Sequence, residues 1–316
     1  MLIKRTASWA AKLVLTAGAF WYLLLKVDIG AAWQAGRHLS PLLFGAAILL
    51  QVLQVSICGL RWQLVLRAIG ARLPFFQACE LFSICNFFGQ VLPGAIGGDA
   101  VRIVATRRTG LGLATSINSV MLERVATVYA LVLLTTAGEP LLADRLAGSP
   151  GLWLFPALTV AATAGIIALM LLDLLPASLR RWRMVRGVAQ VAADTRRLFL
   201  RPSRALPTMA VAILGHVNLS VLAWTLAVGL AAPVSLLDCL VLVPPVVLVA
   251  TLPISVAGWG AREVAMITVF GLIGVPVAQA TALSVLFGLS GLLIALPGGF
   301  FWLLWKKPLE GGEIPG

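Results

Sequence analysis

The stretch LPGAIGGDAVRIVA, residues 92–105, returns as LPISVAGWGAREVA, residues 252–265. At a constant offset six of the 14 positions are identical: Leu92/Leu252, Pro93/Pro253, Gly98/Gly258, Arg102/Arg262, Val104/Val264 and Ala105/Ala265. Proline, glycine and arginine matching in register separate this from the chance likeness of two apolar runs. The similarity extends outward. AILLQV at 47–52 matches AILGHV at 212–217, and Ser119-Val120 matches Ser284-Val285. Each unit reads as an apolar span, a broken hairpin, a turn carrying Leu-Pro, a short helix and a further span. The first unit occupies 41–174 and the second 205–305. An Arg-rich connector at 175–204 joins them within one transmembrane domain, 1–316.

Composition sets the environment. Hydrophobic residues make up 60% of the 316 positions and charged residues 11%, and the mean hydropathy is +0.99. A soluble domain carries about 25% charged residues, so this chain has too little polar surface to clothe a globule. The excess lies in runs long enough to cross a bilayer, which takes about 20 residues of helix. These runs are 9–26, 41–64, 113–137, 151–174, 206–230 and 278–305. The runs 75–93 and 236–253 are apolar but interrupted, the first by Asn86, Gly89 and Gln90 and the second by Pro244-Pro245. A short apolar helix is expected at 261–273. No small-residue cleavage site follows Trp21–Lys26, so the first run is read as a retained helix.

The charges are lopsided, with 24 Lys+Arg against 12 Asp+Glu. The basic residues sit in short connectors between apolar runs. That pattern belongs to loops facing anionic headgroups and argues against nucleic acid. With the N-terminus inside, the first two spans bring Arg67 and Arg72 to the cytoplasm. The cluster Arg102, Arg107 and Arg108 also belongs inside, so run 75–93 must enter and leave on one face as a re-entrant hairpin. Breaks at depth are tolerated where protein or a wet cavity surrounds them. Spans 113–137 and 151–174 then place the connector, with eight arginines between Arg180 and Arg204, inside. The C-terminus follows at Lys306-Lys307. On this topology 18 of the 24 basic residues are cytoplasmic, four are outside (Lys26, Arg37, Arg145, Arg262), and Lys12 and Arg124 lie within spans. Three spans separate the starts of the two units, so the second unit is inverted. The expected fold is therefore an all-α polytopic membrane protein of about six full spans and two re-entrant hairpins. Inverted repeats with discontinuous helices are a transporter architecture.

The candidate site follows from the repeat. Gly94, Gly97 and Gly98 end a hairpin and open a helix, where backbone can approach a ligand and free N–H groups favour an anion. Arg102, one turn on, adds a charge-assisted fork. Gly258 and Arg262 rebuild this from the other face. The local alternative makes Asp99 an N-cap, the glycines a tight turn and Arg102 a snorkelling anchor. For Asp99 the cap is the preferred reading. For the duplicated Gly–Arg pair a headgroup site is preferred. Glu123 and Arg124 lie inside a span, where ionisable groups are functional by default. Being adjacent, they point about 100° apart and do not suffice for each other. Glu123 either couples transport to an ion or forms a structural pair with an arginine such as Arg102; its counterpart in the second unit is Gly288. Asn86 and His216 are polar at depth and serve interhelical hydrogen bonds or line a cavity. Several tryptophans (Trp9, Trp33, Trp62, Trp153, Trp305) are read as an interfacial belt. The four cysteines are read as small core residues. No nucleotide loop, metal-ligand spacing or nucleophile motif is present, so no catalytic residue, cofactor or metal is expected.

LRWQLVLRAIG at 60–70, FFGQVLPGAIGGDAVR at 87–102 and SINSVMLERVATV at 116–128 carry a resemblance across nearly the whole chain. They resemble the transmembrane family of lysylphosphatidylglycerol synthases: the flippase domain of MprF and its stand-alone YbhN-like and hopanoid-associated relatives. Gly94, Gly97, Gly98, Asp99, Arg102, Glu123 and Arg124 match the family pattern. The resemblance implies a bacterial inner-membrane protein that moves lipids between leaflets. Ending at Gly316 without a soluble aminoacyl-transferase domain, the chain is not expected to aminoacylate lipid. The expected partners are membrane lipids (a phospholipid, a polyprenyl-phosphate or a hopanoid-type lipid), with a lipid-modifying enzyme as a further candidate. Two rival readings remain open: a non-transporting subunit that supports a lipid-modifying or glycosyl-transferring enzyme, and an intramembrane enzyme.

Overall fold

The structure, a computed structural model, describes residues 40–91, 95–142, 151–172, 183–251 and 259–305. The expected span 9–26, Gly94, Gly258 and the terminal lysines lie outside them. The described residues form ten α-helices: α1 Pro41–Ala68, α2 Phe75–Val91, α3 Ala95–Arg107, α4 Leu113–Gly138, α5 Gly151–Leu171, α6 Arg183–Phe199, α7 Pro202–Gly229, α8 Leu236–Thr251, α9 Ala261–Gly271 and α10 Val277–Leu304. A short 3₁₀ turn, Glu139–Leu142, extends α4. α1, α7, α10 and α4 with its extension are long and apolar enough to cross a membrane. They contain the expected spans 41–64 and 113–137, and all but the last residue of 206–230 and 278–305. α5, at 21 residues, occupies the run 151–174.

Local chemistry starts and stops these helices alike in both units. α1 and α7 each open with proline in the first turn, where the missing N–H costs nothing. The turns after α3 and α9 pass through Gly110 and Gly274 at φ 92° and 79°, a region that a side chain disfavours. In order, α1–α4 have 28, 17, 13 and 26 residues, and α7–α10 have 28, 16, 11 and 28. Packing repeats as well. α2 lies on α10 as α8 lies on α4, and α1 lies on α7 across the centre. Exchanging the units therefore maps the packing onto itself. At 1.5 Å per residue α2 and α3 span roughly 25 and 20 Å, and neither alone reaches through a core of about 30 Å.

The hairpins are built differently from the expectation. α2 runs unbroken through Asn86, Gly89 and Gln90, and α8 runs unbroken through Pro244-Pro245. The returning limbs are α3 and α9, so each hairpin is two helices rather than one interrupted run. The reason is packing. A Cβ on Gly98 would lie 2.8 Å from the Cys85 carbonyl oxygen and 3.2 Å from Gly89 Cα. Glycine thus lets α3 cross α2 at backbone contact, as small residues do between membrane helices. Likewise a Cβ on Gly298 would collide with the Ser83 carbonyl, which seats α10 on α2.

The connector contains the amphipathic helix α6. Its Ala192, Asp194, Thr195 and Leu198 are buried while Arg197 is exposed. Asn118 Nδ2 donates to Asp194 at 2.8 Å, which ties α6 to α4. Arg204 Nη1 donates to the Ala68 carbonyl at 2.7 Å and so satisfies the C-terminal end of α1.

Candidate functional site

Glu123 is the centre of a buried charge cluster. It lies ten residues into α4, about 15 Å from that helix's start. Arg61 of α1 donates from Nε to its Oε1 at 2.6 Å, and Arg102 of α3 donates from Nη1 to its Oε2 at 2.9 Å. Exposure of the three is 5%, 1% and 1% for Arg61, Arg102 and Glu123, so water does not compensate them. Both carboxylate oxygens are taken by guanidinium donors, and Thr127 Oγ1 adds a weaker contact at 3.3 Å. The arrangement favours the structural pairing of Glu123 over ion coupling.

Arg102 is held on its face as well. Its Cζ stands 4.0 Å from the Trp62 ring centre and 5.5 Å from that of Phe82. Trp62 is fully buried and donates Nε1 to Ser119 Oγ at 3.2 Å. One expectation is corrected here: Trp62 is the platform under an arginine rather than an interfacial anchor. Arg102 is a buried ion-pair partner, which leaves no place for the alternative of a snorkelling residue. The cation–π contact and the carboxylate together offset its burial. The offset is incomplete, because Arg102 Nε and Nη2 are buried without a hydrogen-bond partner.

Asp99 is not the N-cap. It is the fifth residue of α3, and both its oxygens accept from Arg124, at 2.8 Å from Nε and 3.0 Å from Nη2. Neighbours in sequence, Glu123 and Arg124 thus serve separate clusters. The Arg124 side chain keeps 45% of its surface exposed. Gly97 is half-buried near the start of α3. Gly98, expected at a ligand, is covered by α2.

The second unit rebuilds half of this cluster. Arg262 is the second residue of α9 and is 7% exposed. Its Cζ stands 4.6 Å from the Trp259 ring, and its Nε reaches Ser284 Oγ at 3.3 Å. Ser284 is the counterpart of Ser119, but Gly288 replaces Glu123 and Leu226 replaces Arg61. A Cβ on Gly288 would collide with the Arg262 guanidinium, which rests on the α10 backbone there. Arg262 Nη2 is buried without a partner, and no carboxylate among the described residues lies within ion-pair distance of it. The two units reach one net positive charge by different means: two arginines against one glutamate in the first, a lone arginine in the second. In each, Nη2 of the duplicated arginine is left without an acceptor.

Other polar residues cross-link the centre. His216 Nε2 pairs with the Thr127 carbonyl at 3.1 Å, an α7–α4 bond that fits the expected interhelical role. Asn86 is half-buried and makes no hydrogen bond to the described residues. Asn218 donates to Gln54 Oε1 at 2.8 Å, and Gln51 donates to Ser290 Oγ at 3.1 Å. Sequence reasoning missed Arg61 by counting it with the cytoplasmic arginines. The signal was present: it falls inside the apolar run 41–64, one turn before Val65, and an arginine there needs a buried acid. At the C-terminal end of α1 an open cavity of about 510 Å³ is lined by Arg67, Gly70, Ala71 and Arg72.

Comparison with known proteins agrees with this construction. The family described as Lysylphosphatidylglycerol synthase TM region matches residues 9–299. A UPF0104 membrane protein of Archaeoglobus fulgidus is 30% identical over 93 residues, which is 29% of this chain and 28% of that protein. The family match takes in all ten helices, except for the last five residues of α10, and the whole charge cluster. The chain therefore belongs to the lysylphosphatidylglycerol synthase TM region family, and it is a multi-pass membrane protein.

Proposed function

We propose that the chain is a transporter that carries a lipid with an anionic, phosphate-bearing headgroup between the leaflets of a bacterial inner membrane, with both termini in the cytoplasm. One observation carries the reading: each unit holds one net positive charge at depth, ending in an unpartnered Nη2 of Arg102 or Arg262. A lone guanidinium in a membrane is costly without a counter-anion. Phosphate matches its planar fork. Two such sites, related by the inverted repeat, let a headgroup pass from one to the other while its tails stay in the bilayer. The half-exposed Asp99–Arg124 pair supplies a polar wall beside that path. A supporting subunit has no use for matched charges in both units.

The test is a leaflet assay in liposomes with phosphatidylglycerol or a polyprenyl phosphate. Arg102→Ala and Arg262→Ala are each expected to slow translocation tenfold or more, about 1.4 kcal/mol on the barrier. Lysine at either position restores only part, because it lacks the fork. Wild-type movement by a folded double alanine variant would refute the reading.

A further inference from the structure

Arg102 and Arg262 occupy matching positions, yet their surroundings differ in one respect that bears on ligand binding. The first is already paired with a carboxylate, Glu123, at 2.9 Å. The second is 7% exposed, has an unpartnered Nη2, and rests against Gly288, whose lack of a side chain leaves room for the guanidinium and supplies no carboxylate. It also stands at the N-terminus of an 11-residue helix whose cap, Gly260, supplies no side-chain acceptor. The first backbone bond of α9 runs from Val264 N to the Gly260 carbonyl at 3.0 Å. The N–H groups of Ala261, Arg262 and Glu263 precede it and have no acceptor inside the helix. Free N–H groups and an uncompensated guanidinium both call for an anion.

We propose that Glu123 is a tethered stand-in for the substrate anion. Its carboxylate pairs with Arg102 in the first unit as a phosphate-bearing headgroup pairs with Arg262 in the second, beside Ser284 and the start of α9. The two sites are therefore unequal. The Arg262 site accepts an anion directly, whereas the Arg102 site accepts one only by displacing Glu123. This rests on the transport reading for the nature of the ligand but not for its existence, since the site needs only an anion. It gives the asymmetry a purpose that a symmetric relay lacks. One end carries no carboxylate of its own, and the other is latched by Glu123 until the arriving headgroup competes for Arg102 and Arg61. No covalent step is involved.

The experiment counts bound lipid. Purified protein in detergent is titrated with phosphatidylglycerol, with phosphatidylcholine as the zwitterionic control, and stoichiometry is read by native mass spectrometry. Wild type is expected to bind one phosphatidylglycerol above the control, and Arg262→Gln none. Ser284→Asp places a carboxylate within reach of Arg262 Nε and is expected to bind none while remaining folded. Glu123→Gln unlatches the first site and is expected to bind two, with a larger thermal stabilisation by the lipid than wild type shows. A separate arm adds inorganic phosphate. Displacement of the lipid assigns recognition to the phosphate group alone, and retention assigns it to the headgroup on its lipid; either result keeps the site. Two lipids on wild type, or one lipid retained by both Arg262→Gln and Ser284→Asp, overturns it. Binding of this pattern without lipid movement would overturn the transport reading alone, and movement with binding insensitive to Arg262 would overturn the stand-in alone.

Discussion

Removing the Glu123 carboxylate should harm the fold more than removing either arginine it binds. The three side chains are at most 5% exposed, so the charges left behind meet no water. In wild type the cluster holds two guanidinium groups and one carboxylate. Glu123→Gln leaves two positive charges facing each other. Arg61→Met leaves a matched pair, Glu123 with Arg102. At an effective dielectric of about 20, two unit charges about 4 Å apart interact by about 4 kcal/mol. Breaking a buried pair by deleting one partner costs about 3–5 kcal/mol. Glu123→Gln is therefore expected to lose about 3–5 kcal/mol. Arg61→Met is expected to lose about 1.5–3 kcal/mol, the worth of a hydrogen bond to a charged group. The triple replacement Arg61→Met, Arg102→Met, Glu123→Leu removes every charge and should recover most of the stability, while abolishing transport. The assay is unfolding of purified protein in mixed micelles, followed by tryptophan fluorescence. If Glu123→Gln unfolds no more readily than Arg61→Met, the cluster is not a compact charge balance and the reasoning fails.

Packing and topology give further tests. Gly298→Val should lower the melting temperature clearly, because its side chain meets the Ser83 carbonyl where α10 crosses α2; Gly165→Ala, which faces open space, is the control and should change little. Arg204→Ala should cost about 1 kcal/mol by leaving the Ala68 carbonyl at the end of α1 without its donor, measured in the same micelles. In a background without native cysteines, Arg107→Cys should label only from the cytoplasm and Leu272→Cys only from outside. Both positions are exposed, whereas Thr106 beside the first is buried. Labelling of both from one side would end the inverted arrangement.

Much of this was legible in the residues. Long apolar runs must become helices in lipid, because every backbone group has to be satisfied within its own segment. That constraint is local, so spans such as 41–64 and 113–137 could be read directly and fall within α1 and α4. The repeat was legible for a similar reason: identical residues in register survive in matching places, and Arg102 and Arg262 both become buried arginines over a tryptophan, although Trp62 comes from α1 and Trp259 from the turn before α9. The adjacency of Glu123 and Arg124 likewise determined that they must look for partners elsewhere, since neighbours on a helix diverge. The interruptions were misread. Asn, Gly and Pro weaken a helix by propensity, yet α2 and α8 run through them, because tertiary contacts outweigh a cost of about 1 kcal/mol per glycine. Which arginine meets which acid depends on how helices far apart in sequence pack. Arg61 and Glu123 are 62 residues apart, and only the approach of α1 to α4 makes them a pair. Gly98 could be seen as a place of close approach, but the tertiary structure decided that what approaches is α2 rather than a ligand. Sequence alone determined that the chain crosses a membrane, that it is built twice, and that charge lies at depth. Tertiary structure alone decided that the first of the two arginines shares a carboxylate and the second has none, because whether a buried charge meets a counter-charge is settled by distances of about 3 Å between helices, which no spacing along the chain specifies.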